Sequence, residues 1–336
     1  MSTGNQPPHM RVILGCMTFG PEGGGARVKT NEEATEIIST FRQYGHDALD
    51  TARIYTDGNT EKMMGELDLK GLTVDTKVFP LQLGGLQADK VKRSLEESLA
   101  ALRTNKVHVF YLHAPDYATP IEETLKAMND LYEQGKFEVF GLSNYPAYVV
   151  AQIYYLCKLN GYVLPTVYQG MYNALTRHIE PELFACLEEL GIRFHAYNPL
   201  CGGVLTGAYT YQGQVEQGSR FDPNAKQGAR YRDRYWKKEY FDAVDVLKKV
   251  CEPHGLDLVQ VAFDWLQFHS KMNADRGDGI IIGASSLKHT VQNLEALKKG
   301  QPLPKDVLEA LDRCWDITRE SSPSYFRTKD QMMGAR

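Results

Sequence analysis

Four side chains of unlike chemistry stand at the ends of apolar segments in the first third of the chain. They are Asp50 and Tyr55 in DALDTARIY (47–55), Lys77 in VDTKVF (74–79) and His113 in VFYLHAPD (109–116). Together they make a proton-transfer set. A phenol has an ordinary pKa of about 10 and is a poor acid at neutral pH. A nearby ammonium stabilises the phenolate, lowers the tyrosine pKa and eases proton donation, which is the part Lys77 can play for Tyr55. A carboxylate beside the lysine keeps it charged and oriented, a part that suits Asp50. The His113 imidazole can hydrogen-bond a carbonyl oxygen or assist proton transfer. Each residue alone has an ordinary structural explanation. At one end of successive strand-like segments, the four argue for acid–base chemistry.

The elements that must position them alternate along the chain. Strands are predicted at Asp47–Ala52, Thr73–Phe79, Val107–His113, Phe137–Ser143, Thr166–Gly170, Arg193–Tyr197 and Gly279–Gly283. Helices are predicted at Asn31–Tyr44, Gln87–Leu102, Thr119–Gln134 and Glu180–Leu190. In the second helix Val91, Leu95, Leu99 and Leu102 recur on one face. Asn31 and Thr119 stand where N-caps belong, ahead of acidic first turns. Continuous apolar strands alternating with helices mean a parallel sheet covered on both faces. Seven such units, and an eighth too weak to read, predict an α/β fold closed as a (β/α)8 barrel, with a doubly wound open sheet as the lesser alternative. Such barrels do chemistry at the C-terminal ends of their strands. One domain is expected over residues 1–336, with its core at about 10–327 and an irregular C-terminal tail.

Composition narrows the function. A net charge of -4 argues against a nucleic-acid surface while leaving room for a local phosphate pocket. No apolar run reaches the roughly 18 residues of a membrane span, and the N-terminal run is too short for a secretory signal. Six scattered cysteines without a C-x-x-C pair predict neither disulfides nor a metal site, and fit a reducing cytoplasm. Gly-rich GPEGGGAR (20–27) matches neither a Rossmann fingerprint nor a P-loop, and reads as a lid or hairpin. Any nicotinamide cofactor must therefore bind without a Rossmann unit. Residues 204–236, polar and aromatic with four arginines, break the alternation, as does the terminal SSPSYFRTKDQMMGAR.

The chain resembles the aldo-keto reductases through LDTARIY, the DTKV lysine, YLHAPD, GLSNY and AYNPLCGGVLTG. The matches run from GCMTFG near residue 15 to GASSLKHTVQNLE near 295. YRDRYW and the terminal YFR are similar to the aflatoxin-aldehyde and succinic-semialdehyde reductase branch. The resemblance implies NADPH-dependent (NADP+-forming) reduction of a small-molecule carbonyl, an aldehyde or a ketone. Tyr55 would be the general acid, supported by Asp50, Lys77 and His113. It implies that Ser143, Asn144 and Gln169 hold the nicotinamide amide, with Asp50 beside them, and that Tyr197 stacks on the ring. The loop NPLCGGVLTG (198–207), with Asn198, Pro199, Leu200, Gly202, Gly203 and Leu205, supplies backbone amides and small residues that suit a pyrophosphate. Arg220 matches a phosphate arginine, Ser285, Gln292 and Asn293 match adenosine contacts, and Lys288 lies near the 2′-phosphate region.

Two positions depart from the branch. LTGKY is here LTGAY, so Ala208 lacks a basic side chain and NADPH preference is expected to weaken; His289 replaces the usual Gln. On the substrate side, Met17 or Phe19 offers an apolar wall, Tyr231 and Trp236 aromatic lining, and Arg232, Arg234 and Arg327 a draw for carboxylated aldehydes. Alternatively YRDRYW is a packed segment; in the branch the YFR arginine is tied to carboxylate binding. A homodimer is one expected assembly, and neither nucleic acid nor membrane is an expected partner. The alternative function is a cofactor-binding regulatory subunit with little turnover. A metal-dependent hydrolase is the weakest option, since only His113 and His195 are placed as strand-end ligands.

Overall fold

A computed structural model describes residues 10–333. Eight parallel strands close into a barrel in chain order: β1 (Arg11–Gly15), β2 (Ala48–Asp50), β3 (Thr73–Val78), β4 (Val107–Leu112), β5 (Phe137–Ser143), β6 (Pro165–Met171), β7 (Arg193–Tyr197) and β8 (Gly279–Gly283). The strand missing from the sequence reading is β1. Its five residues RVILG carry little signal by length, yet they pair along their whole course with β8 and close the barrel.

Helices cover the outside. They are α1 (Asn31–Gln43), α2 (Asn59–Met64), α3 (Ala88–Ala101), α4 (Ile121–Glu133), α5 (Ala147–Asn160) and α6 (Leu183–Glu189), followed by α7 (Lys226–Tyr235), α8 (Lys238–Cys251), α9 (Leu258–Phe268), α10 (Leu287–Lys298), α11 (Lys305–Thr318) and α12 (Lys329–Met333). No helix among the described residues is long and apolar enough to cross a membrane. The cap of α1 is Thr30, not Asn31. The Thr30 hydroxyl accepts from Glu33 N at 3.2 Å while the Glu33 carboxylate reaches back to Thr30 N, a reciprocal capping box. Thr119 does not cap α4 either. Pro120 intervenes, and the Thr119 hydroxyl donates to Asp116 Oδ2 at 2.6 Å.

The main core lies between strands and helices, and a smaller one fills the barrel. Inside, Ile13, Ala48 and Ile281 make one layer against Tyr197, and Val109, Tyr111 and Val167 another. Strand period two sets which residues enter this space. Asp50 pairs in register with Asp75, so Lys77, two residues on, points to the same inner face one layer nearer the mouth, opposite Tyr111.

The segment 204–236 is more ordered than its composition implies. It holds α7, whose Gly228 lies so close to the Asp222 backbone that a Cβ would come within 1.8 Å of the Asp222 carbonyl oxygen. Glycine lowers helix propensity, and the polar run hides the periodicity, so the sequence reads as a loop.

Candidate active site

The four residues singled out first meet at the C-terminal mouth of the barrel. Asp50 ends β2, Lys77 is the last but one residue of β3, and His113 follows β4 directly. Tyr55 opens a tight 3-10 turn in which Thr56 and Asp57 take left-handed φ of 45° and 57°. Backbone strain of this kind persists only where surroundings enforce it. Here the Thr56 hydroxyl donates to the Phe19 carbonyl at 3.0 Å, and Gly24 N donates to Asp57 Oδ2 at 2.9 Å. Loop 20–27 thus closes over the turn that carries Tyr55.

Lys77 is fully buried and donates to Asp50 Oδ1 at 2.5 Å and to the Thr51 carbonyl at 2.7 Å. Its Nζ lies 5.2 Å from the centre of the Tyr55 ring, and the His113 ring meets Tyr55 edge-on at 5.9 Å. The electrostatics correct one expectation. The Tyr55 pKa is pushed well above that of an ordinary phenol, first by burial and then by the Asp50 carboxylate. The ammonium of Lys77 donates to Asp50 and to the Thr51 carbonyl rather than to the phenol. His113 is driven well below the ordinary imidazole value by burial, then by Lys77, Arg327, Arg230 and Arg234. It is neutral at physiological pH. Its Nδ1 is buried without a hydrogen-bond partner.

Two hydrogen-bonded groups extend from this centre. Asp50 Oδ1 also accepts from Gln169 Nε2 at 2.8 Å. Asn144, held at φ 62°, donates to the His113 carbonyl at 2.9 Å and to Ser143 Oγ at 2.8 Å, and accepts from the Tyr197 hydroxyl at 2.7 Å. Ser143, Asn144, Gln169 and Tyr197 therefore adjoin the acid–base set.

Past β7, Asn198 (φ 57°) fixes the next turn, its side chain joining the Tyr231 and Tyr235 hydroxyls, with Pro199 buried and Leu200 half-buried behind it. Gly202 and Gly203 have φ of 68° and 115°, and a Cβ on Gly202 would come within 2.8 Å of the Tyr231 ring. The amides of Gly203 and Leu205 bond back to the Leu200 carbonyl, and the Leu205 side chain is in the core. Those two N–H groups are turned inward, unlike the phosphate donors expected of them. Arg220 donates to the Tyr231 hydroxyl at 3.0 Å and lies over its ring. Ser285 Oγ meets His289 Nδ1 at 3.0 Å at the start of α10, whose Lys288 and Gln292 are exposed. Asn293 is buried, with its amide on the Gly283 carbonyl. Arg27 also reaches this end, with Nε buried and unpartnered. Arginines with no ion-pair partner among the described residues, positive-φ glycines and a helix N-terminus fit the phosphates of a nicotinamide dinucleotide.

The substrate set divides. Arg327 lies at the mouth, its N–H on the Asn144 carbonyl at 3.0 Å and its own carbonyl on the Tyr117 hydroxyl at 2.6 Å. Met17 is half-buried and touches Gln227 through Sδ. Tyr231 is buried. Arg232 is placed elsewhere: it stacks on Trp236 at 4.5 Å and donates to the Phe221 carbonyl, on the opposite face of α7 from Arg230 and Arg234. Trp236 packs among Tyr209, Phe221 and Phe241, and Phe19 is fully buried, so neither lines the mouth. Arg230 escaped the sequence reading. Its spacing of four from Arg234, same-facing in a helix, was legible only once α7 was known to be helical.

The model of the aldo/keto reductase family matches residues 11–316. The chain is 42% identical over 335 residues to mouse aflatoxin B1 aldehyde reductase member 2, covering 96% of this chain and 89% of that one. It is 40% identical over 328 residues to human aldo-keto reductase family 7 member A3, covering 94% and 97%. It is 39% identical over 317 residues to aldo-keto reductase pigE of Monascus ruber, covering 90% and 92%. The chain belongs to the aldo/keto reductase family and is an NAD(P)H-dependent oxidoreductase.

Proposed function

We propose that the protein reduces aldehydes with NADPH and that Tyr55 is the proton donor. The observation that carries this reading is the buried Lys77–Asp50 pair set against the Tyr55 ring, with His113 edge-on beside it. A bound reduced nicotinamide supplies the hydride. The chain's own groups do the rest. Ser143, Asn144 and Gln169 would hold the nicotinamide amide, and Tyr197 would lie against the ring. The substrate carbonyl oxygen sits between the Tyr55 hydroxyl and the His113 imidazole. His113, held neutral, donates a hydrogen bond without competing as an acid, and Tyr55 gives up its proton as charge develops on oxygen. Lys77, fixed by Asp50 and Thr51, places positive charge near the resulting phenolate. That placement lowers the cost of a proton transfer which burial alone makes unfavourable.

The mouth favours substrates that carry an anion away from the carbonyl. Arg230, Arg234 and Arg327 gather there without an ion-pair partner among the described residues. The Arg327 pKa is brought down to about 10, by burial first and then by Arg234, against Tyr197 and Asp233, and Arg327 has no ion-pair partner among the described residues. A carboxylate would supply one, with bidentate geometry available to guanidinium. The test is NADPH oxidation followed with neutral aromatic, dicarbonyl and carboxylated aldehydes. Turnover fastest with carboxylated members supports the reading. Tight cofactor binding without turnover of any aldehyde contradicts it.

A further inference from the structure

We propose that Arg27, from the glycine-rich loop 20–27, determines cofactor specificity by binding the 2′-phosphate of NADPH together with Arg220 and the Ser285–His289 turn. The proposal rests on the reading of the protein as an NADPH-dependent reductase. The loop is pinned rather than free. Arg27 N donates to the Thr18 carbonyl at 2.8 Å, and the Thr18 hydroxyl donates to the Ala284 carbonyl at 2.7 Å, one residue before Ser285. Its glycines allow close seating. A Cβ on Gly23 (φ 104°) would come within 2.3 Å of the Thr56 carbonyl oxygen, and one on Gly25 (φ 87°) within 2.2 Å of Gln227 Oε1 on α7. Arg27 is thereby carried to the end of the site that holds α10.

That end is short of negative charge. Arg27, Arg220 and Lys288 form no ion pair among the described residues, and Arg27 Nε is buried without a hydrogen-bond acceptor. The Arg27 pKa falls to about 10 through burial and then Arg220, and His289 falls through burial, then Lys288, Arg27 and Arg220. A buried donor without an acceptor is costly, and cations held together without a counter-ion fit a multiply charged anion. The N-terminus of α10, twelve residues long, adds dipole and amides of the same sign.

Position decides which phosphate is meant. Arg27 is placed by geometry beside the turn between β8 and α10, through its bond to Thr18 and the Thr18–Ala284 bond. The charged group farthest from a nicotinamide at Tyr55 and Tyr197 is the adenosine 2′-phosphate, which NADH lacks and which arginine accommodates elsewhere.

The experiment measures dissociation constants for NADPH and NADH by quenching of intrinsic protein fluorescence, without substrate. Arg27→Ala should weaken NADPH by about tenfold or more and leave NADH within about twofold, while Arg27→Lys should fall between it and the wild type. Unchanged NADH affinity also shows that the variant is folded. Equal weakening of both cofactors, or no change in either, overturns the assignment to Arg27 alone. A wild-type protein that fails to bind NADPH overturns the reductase reading and this inference with it.

Discussion

Tyr55 sits under opposing influences, and their balance sets how the site responds to pH. Burial and Asp50 raise its pKa well above the ordinary phenol, so the phenol is protonated throughout the neutral range. Reduction needs the protonated form and oxidation of an alcohol the phenolate. The reduction rate should stay level through neutral pH and fall only on the alkaline side, with alcohol oxidation rising as reduction falls. A reduction profile that already declines between pH 7 and 9, below and around the ordinary phenol value of about 10, would contradict that sign. His113 should contribute no acid limb near its ordinary value of about 6.5, because its depressed pKa keeps it neutral there. At the other end of the site, Ala208→Lys should tighten NADPH binding measured by fluorescence quenching, and an unchanged dissociation constant would remove Ala208 from the account. Residue chemistry was largely legible in advance: the types and strand-end placement of Asp50, Tyr55, Lys77 and His113 stood in the sequence. Arg27 was not. Its role depends on the Thr18–Ala284 bond between loops 266 residues apart, which no local pattern encodes.

Among the elements, α7 carries the clearest test. It presents Arg230 and Arg234 toward the mouth and Arg232 toward Trp236, so the arginines of YRDRYW should separate in kinetics. Arg234→Leu and Arg327→Gln should each raise KM for a carboxylated aldehyde by about tenfold, as for a lost charge-assisted bond, and leave a neutral aromatic aldehyde nearly unaffected. Arg232→Leu should change neither KM and should instead lower thermal stability through its lost packing on Trp236. Equal KM effects from Arg232 and Arg234 would sink this division. Periodicity exposed the strong helices and the seven buried strands, since their apolar faces are long enough to register. It failed at β1, five residues beside a proline- and glycine-rich stretch, and at α7, whose Gly228 is required by its contact with Asp222 rather than by helix propensity. Cap positions slipped by one residue at Asn31 and Thr119 because neighbouring Thr30 and Pro120 compete for the same place.

At the scale of the molecule, barrel closure gathers residues from every part of the chain and buries polar groups inside. His195 lies in the barrel with Nδ1 3.3 Å from the Tyr111 hydroxyl, and its pKa is driven well below the ordinary value, first by burial. The unfolded chain takes up a proton there below about pH 6.5 while the folded one does not, so stability is level above that pH and falls below it, by up to about 1.4 kcal/mol per pH unit for this group. Urea unfolding at pH 7.5 and 5.5 should show the loss, and His195→Gln should lessen it even if it costs stability at neutral pH. An identical acid loss in the variant would assign the effect elsewhere. Reduction by this barrel depends on one phenol. Tyr55→Phe should lower kcat/KM for aldehyde reduction by about 10²–10⁴-fold, the range for loss of a general acid, while the NADPH dissociation constant by fluorescence quenching stays nearly unchanged. Near-wild-type reduction by Tyr55→Phe, with cofactor bound, would contradict the central claim.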